Sequence, residues 1–181
     1  MDLSLGVLEV VPALSRPDLL AEPVAKSLTA LDAALSDAIG VAQIDPALAD
    51  TAAFCERYQV GLDVSANCVV ITGKREGQAR YAACVVLATT RADVNNVARR
   101  ALDVRKASFA GMDDAVAQTG MEYGGITPAG LPAGWPVLLD AQAAAVSTTV
   151  IGSGVRRSKL VLPGAVLAAL PGVTVIDGLG R

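Results

Sequence analysis

From Thr119 to Gly130 the chain reads Thr-Gly-Met-Glu-Tyr-Gly-Gly-Ile-Thr-Pro-Ala-Gly, four glycines and one proline in twelve residues. Glycine has no Cβ, so its backbone can approach a ligand closely and take up turns closed to other residues. Proline fixes its own φ and stiffens the segment. A loop of this make-up can aim backbone N–H groups at a carbonyl oxygen and stabilise the negative charge that develops there during acyl transfer. One such donor is typically worth ~2.7–4 kcal/mol. The same composition also makes an ordinary turn between a helix and a strand, and composition alone favours the turn.

The rest of the chain narrows the chemistry. Its 181 residues contain no histidine. That removes Ser-His-Asp and Cys-His nucleophile systems, HExxH sites and the usual zinc and haem ligands. Catalysis has to use carboxylates, lysine, hydroxyls, thiols, backbone groups or the substrate itself, and no metal or cofactor is expected. Cys55, Cys68 and Cys84 are odd in number and lack CxxC spacing. This argues against a disulfide framework or a zinc ribbon and for a reducing, cytoplasmic setting. Neither GxGxxG nor GxxxxGK[ST] occurs, and the lone Gly152-Ser153-Gly154 is a weak sign of a phosphate cradle.

A net charge of -3 gives no reason to expect DNA wrapping or an anionic membrane surface. It leaves room for a local basic face. Two clusters, Arg99, Arg100, Arg105 and Lys106, then Arg156, Arg157 and Lys159, are placed in sequence to meet RNA phosphates, although ordinary solvated surface explains them equally simply. The uncharged stretch 160–176 is cut by Pro163, Gly164, Pro171 and Gly172. It reads as strand–helix–strand and not as a bilayer span, which needs ~20 apolar residues in one helix.

The elements that must hold these residues follow from periodicity. Hydrophobic residues make up 52% but aromatics only 3%, so Ala, Val and Leu must fill the core. Leu20, Val24, Leu28, Leu31 and Leu35 predict one helix over 19–39, ended by Gly40. Pro46 suits the first turn of a helix reaching Tyr58. Residues 68–72 and 80–88 predict a hairpin around the polar stretch 73–78; its nearly all-apolar second arm predicts a central strand covered on both faces. Thr90-Arg91-Ala92-Asp93 resembles a capping box before a helix. Further strands are expected at 41–44, 106–110, 137–139, 148–151, 159–162 and 173–176, with helices at 112–119 and 165–170. The whole is a mixed α+β (α/β) domain over 38–181, with residues 1–37 as an N-terminal extension carrying a helix.

The order of residues in the glycine-rich loop adds to this. Residues 119–130 resemble the TG-x-x-x-GG-[IV]-[ST]-P-x-G signature of the YbaK and prolyl-tRNA-synthetase-associated domain family. Further stretches are similar in the same order: Val104-Arg105-Lys106-Ala107-Ser108, Pro136-Val137-Leu138-Leu139-Asp140-Ala141 and Ile151-Gly152-Ser153-Gly154-Val155-Arg156. The likeness spans roughly 38–176 and implies a mixed sheet or partial barrel surrounded by helices.

That resemblance implies an aminoacyl-tRNA deacylase that removes a wrongly attached small amino acid, binding the tRNA acceptor end and working alone or beside a synthetase. An aminoacyl ester is already activated, so backbone donors and a positioned water, or a substrate hydroxyl, suit a chain without histidine. Gly124, Gly125 and Ile126 are then the candidates for the oxyanion site, with Thr127 and Pro128 fixing the loop. Gly125→Val is expected to block the chemistry while leaving the chain folded. Asp140 would orient a polar group or cap the next segment; Gly152, Ser153, Gly154 and Lys106 are candidates for substrate binding. Asn67 stands where the family usually has a lysine, followed by Cys68. Lys74, Lys106 or Arg156 would have to supply the missing charge. If none does, the chain is a non-catalytic relative that binds a tRNA end, a small aminoacyl-like ligand or a synthetase.

Overall fold

The computed structural model describes residues 3–181. Its strands are β1 (Val10–Pro12), β2 (Gly40–Gln43), β3 (Ala66–Arg75), β4 (Gln78–Leu87), β5 (Ala107–Phe109), β6 (Val137–Asp140), β7 (Thr149–Gly152), β8 (Ser158–Leu162) and β9 (Val173–Ile176). The α-helices are α1 (Glu22–Thr29), α2 (Ala33–Ser36), α3 (Thr51–Tyr58), α4 (Arg99–Ala101), α5 (Met112–Thr119), α6 (Ala141–Ala144) and α7 (Gly164–Ala168). This is the mixed α+β architecture that the sequence predicts.

The strands form two sheets, ordered β1-β2-β8-β7 and β5-β3-β4-β6-β9. The first is antiparallel throughout. The second is antiparallel across β5-β3-β4 and parallel across β4-β6-β9. The sheets meet at a seam where β3 begins. There Ser65 bridges to Val150, and the Val64 carbonyl accepts from the Val150 N–H at 3.0 Å and from Thr149 Oγ1 at 2.8 Å.

The β3–β4 hairpin is longer than its apolar runs suggest. Both strands continue through the polar stretch to a two-residue turn at Glu76 (φ 52) and Gly77 (φ 79). Positive φ at both central positions matches the right-handed twist of the flanking strands, so polar residues can stay paired in an exposed ribbon. Along β4, Ala83, Val85 and Leu87 enter the main core with Val24, Leu28, Leu139, Ile151 and Leu160. The alternate residues Ala82, Cys84 and Val86 pack on the other face with Ile71, Ala98, Leu102 and Leu138. The central strand is covered on both sides, as its apolar run requires.

The N-terminal region departs from expectation. One helix over 19–39 would run ~30 Å in a straight line. Instead a short 3-10 turn precedes α1, and Asp32 takes an extended conformation before α2. The break returns the chain so that β2 can pair with both β1 and β8. The residues read as an extension thus supply β1, Ala13, Val24 and Leu28 to this packing. At the helix preceded by Thr90, the cap is Asp93, whose Oδ1 accepts from the Asn96 N–H at 3.2 Å; a π-turn over Val94–Ala98 then leads into α4. Among the described residues no helix is long and apolar enough to cross a membrane.

Candidate active site

Beside the seam lies a cleft of about 490 Å³, lined from both sheets. Asn67 and Cys68 reach it from β3, Gly152 from the end of β7 and Lys159 from β8. Asp50 and Thr51 reach it from the start of α3, and Gly124 and Ile126 from the glycine-rich loop. Phe109 and Tyr123, 59% and 56% exposed, stand in its lining.

The loop is clipped to the turn after β7. The Gly154 N–H donates to the Gly125 carbonyl at 2.7 Å, and the Glu122 N–H donates to the Gly154 carbonyl at 2.8 Å. Glu122 Oε2 accepts from the Arg156 N–H at 2.6 Å. The two backbones touch: a Cβ on Gly125 would lie 2.7 Å from the Val155 carbonyl, and one on Gly152 would lie 2.3 Å from the Gly125 oxygen. Gly125 is therefore a packing residue, and its own N–H is spent on the Glu122 carbonyl at 2.9 Å. The N–H groups of Gly124 and Ile126 donate to no partner among the described residues. Close contact at Gly125 also changes the expectation for its substitution. Gly125→Val must push two backbones apart, which costs about 1–3 kcal/mol as other overpacking does. At ~2–4 °C per kcal/mol for a chain of this size, thermal unfolding is expected to drop by several degrees. An unchanged melting temperature would contradict this packing.

The cation in the cleft is Lys159, which the sequence offers only as one of a basic cluster facing RNA phosphates. Lys159 donates through Nζ to the Ala49 carbonyl at 3.0 Å and lies 5.3 Å from the Phe54 ring centre. An ammonium has three donors, so two remain for a ligand. Burial, and then the neighbouring Arg156, pulls the Lys159 pKa below its ordinary value. Arg156 sits at the mouth, held by Asp50 at 3.6 Å, the Tyr123 carbonyl at 3.3 Å and the Pro46 carbonyl at 3.2 Å. Lys74 and Lys106 line a different depression. The legible signal was a charged residue inside β8, Ser158-Lys159-Leu160-Val161-Leu162, where every other residue is buried.

Asn67 Oδ1 accepts from Thr51 Oγ1 at 2.8 Å, which leaves the amide N–H groups of its side chain without a partner among the described residues. Cys68 faces the cleft, but burial, and then neighbouring Cys84, pushes its thiol far above the ordinary range. Burial holds Cys84 at about 12. A thiol kept protonated is a packing group, not a nucleophile.

The remaining candidates lie outside the cleft. Asp140, 2% exposed, caps α6 through the Gln142 N–H at 3.0 Å and accepts from the Gly180 N–H at 2.8 Å. Ser153 is fully buried and bonds Ser158 Oγ at 2.7 Å. Gly154, at φ +87, packs against Ala21 and Val24. Thr127 is buried with its hydroxyl unpaired among the described residues, and Pro128 lines a separate groove with Trp135. Among the described residues no group of three or more Cys, Asp or Glu side chains is placed to hold a metal ion.

A mixed fold of two sheets with a cleft between them agrees with what comparison finds. The model of the aminoacyl-tRNA editing domain matches residues 45–170, well over half of the chain. The chain belongs to that family. Among solved structures, a "putative trans-editing enzyme for prolyl tRNA synthetase" superposes with a TM-score of 0.71 at 20% identity, covering 90% of this chain and 99% of that one. The hypothetical protein APE2540 gives 0.74 at 16% identity, covering 88% and 100%. At these identities the likeness concerns the fold. No curated protein matches the chain significantly.

Proposed function

We propose that this protein hydrolyses the ester linking a small amino acid to the acceptor end of tRNA. The observation that carries the reading is the pair of unpartnered amides, Gly124 and Ile126, on a cleft that also holds Lys159. The ester carbonyl oxygen docks against these N–H groups. Water attacks the carbonyl carbon, the tetrahedral oxyanion is held by the same donors, and the C–O bond to the ribose breaks as the ribose oxygen takes up a proton. The amides gain most when the oxygen becomes negative, so they favour the transition state over the ground state. In this reading Thr51 and the free amide N–H groups of Asn67, which line the cleft, orient the water or a substrate hydroxyl. Lys159 offers its remaining donors to the acyl or ribose oxygens. Ala49, Ala66, Val70 and Ala115 give the acyl side chain a short apolar wall.

A second hydrolytic site of this kind is useful because a synthetase pocket separates neighbours by a methylene only ~10–200-fold. Three free cysteines fit work in a reducing compartment such as the cytoplasm. The test is deacylation of a panel of purified, mischarged tRNAs. Turnover is expected for one or a few small amino acids and not for bulky ones. Tight binding of charged tRNA with no turnover on any member would replace this reading with that of a non-catalytic binder.

A further inference from the structure

Beyond the cleft, β5 leads to a second depression of about 470 Å³ lined by Lys74, Arg105 and Lys106, with Thr72 and Ser108. All three cations are exposed and make no ion pair or side-chain hydrogen bond among the described residues. The nearby acidic residue is already neutralised: Asp103 pairs with Arg75 at 3.2 Å and with Arg80 at 3.0 Å. Of the other basic side chains, Arg57, Arg91 and Arg100 likewise make no ion pair or side-chain hydrogen bond among the described residues, and Arg57 lies against the Tyr58 ring. In an acidic chain of net charge -3, uncompensated positive charge is thus gathered in one groove.

Its position ties it to the cleft. β5 pairs with β3 through Gly73↔Ala107, Thr72↔Ser108 and Ile71↔Phe109. Ala107 and Ser108 line the groove, and the next residue, Phe109, lines the cleft. At ~3.3 Å per residue, Lys106 and Phe109 are about 10 Å apart. The close approach at Gly73, where a Cβ would sit 2.6 Å from the Lys106 carbonyl, presses the Arg105–Lys106 backbone onto the sheet.

We propose that this groove binds backbone phosphates of an RNA strand whose esterified 3′ end lies in the cleft, with Phe109 stacking a base between the two. This rests on the deacylase reading for the orientation of the strand. Cationic grooves beside an exposed aromatic are the usual means of holding single-stranded RNA ends, because phosphates supply affinity and every base offers a face to stack on.

The test is the salt dependence of uncharged tRNA binding. The triple variant Lys74→Gln, Arg105→Gln, Lys106→Gln is expected to lower the slope of log affinity against log salt by about 2–3 and to weaken binding at least tenfold at low salt. A control, Lys26→Gln with Arg91→Gln, removes charge elsewhere and should leave the slope within about one unit. Hydrolysis of a minimal 3′-aminoacyl-adenosine ester should be the same in the triple variant as in wild type, while kcat/KM on full-length charged tRNA falls through KM. An unchanged slope, or absence of salt-dependent tRNA binding in wild type, overturns the groove. Equal loss on both substrates also overturns it, since the residues would then act through the cleft. If wild type hydrolyses neither substrate but the triple variant still loses tRNA binding, the deacylase reading fails and the groove stands.

Discussion

Lys159→Met is expected to lower kcat/KM for aminoacyl-tRNA hydrolysis about 100- to 1,000-fold, the usual cost of removing one preorganised donor from a developing oxyanion. Methionine keeps most of the volume and removes only the charge and the donors. The variant should remain folded. In wild type the folded protein holds Lys159 with a pKa below its ordinary 10.5, so burial disfavours the ammonium and the unfolded chain binds that proton more tightly. Replacing it removes this desolvation cost, which offsets the lost bond to Ala49 and the contact with Phe54. The melting temperature at neutral pH is therefore expected to stay within about 3 °C. A large fall in stability together with activity would mean that Lys159 is structural.

The sign of the pH dependence gives a second readout. As pH rises through the lowered Lys159 pKa towards 10.5, the folded state has already released the proton that the unfolded state still holds. By linkage, wild-type stability should rise relative to Lys159→Met across that window. Activity should move the other way, because the ammonium that binds substrate is lost. Matching profiles of wild type and variant on the alkaline side would sink the assignment of charge to this residue.

The fold was legible where local chemistry and burial agree. Gly120 ends α5 at φ 66, the apolar run of β4 is covered on both faces, and the uncharged C-terminal stretch is strand–helix–strand. It was less legible where tertiary pairing overrides pattern. Val10–Pro12 is a strand because β2 is there to pair with it, and nothing in those three residues announces that. The site divides in the same way. The 119–130 loop could be read because its chemistry is local. Lys159 reads in sequence as one of a basic cluster and not as a cleft residue, because its place comes from distance along the chain: β8 brings it to the carbonyl of Ala49. Asp140 and Ser153 were singled out as polar residues beside glycine-rich turns, yet both spend their side chains on internal bonds. Counting such bonds needs coordinates, and it decides which polar residue remains free for a ligand.

That count also separates two neighbouring amides that sequence treats alike. Replacing the backbone N–H of Ile126 by an ester oxygen, through incorporation of the corresponding α-hydroxy acid, deletes one donor and leaves the side chain in place. Its N–H makes no bond among the described residues, so folding should lose little. Hydrolysis should fall about 100- to 1,000-fold, in kcat and kcat/KM alike, because the bond is made fully only to the oxyanion. The same replacement at Gly125 deletes a bond to the Glu122 carbonyl at 2.9 Å. It should cost ~0.5–1.5 kcal/mol of stability, the net worth of an ordinary hydrogen bond, with only a modest effect on rate. Thus one amide is predicted to govern rate and its neighbour stability. If both esters were to lose stability with little change in rate, the loop would be a structural clip, and the oxyanion would have to be bound elsewhere in the cleft.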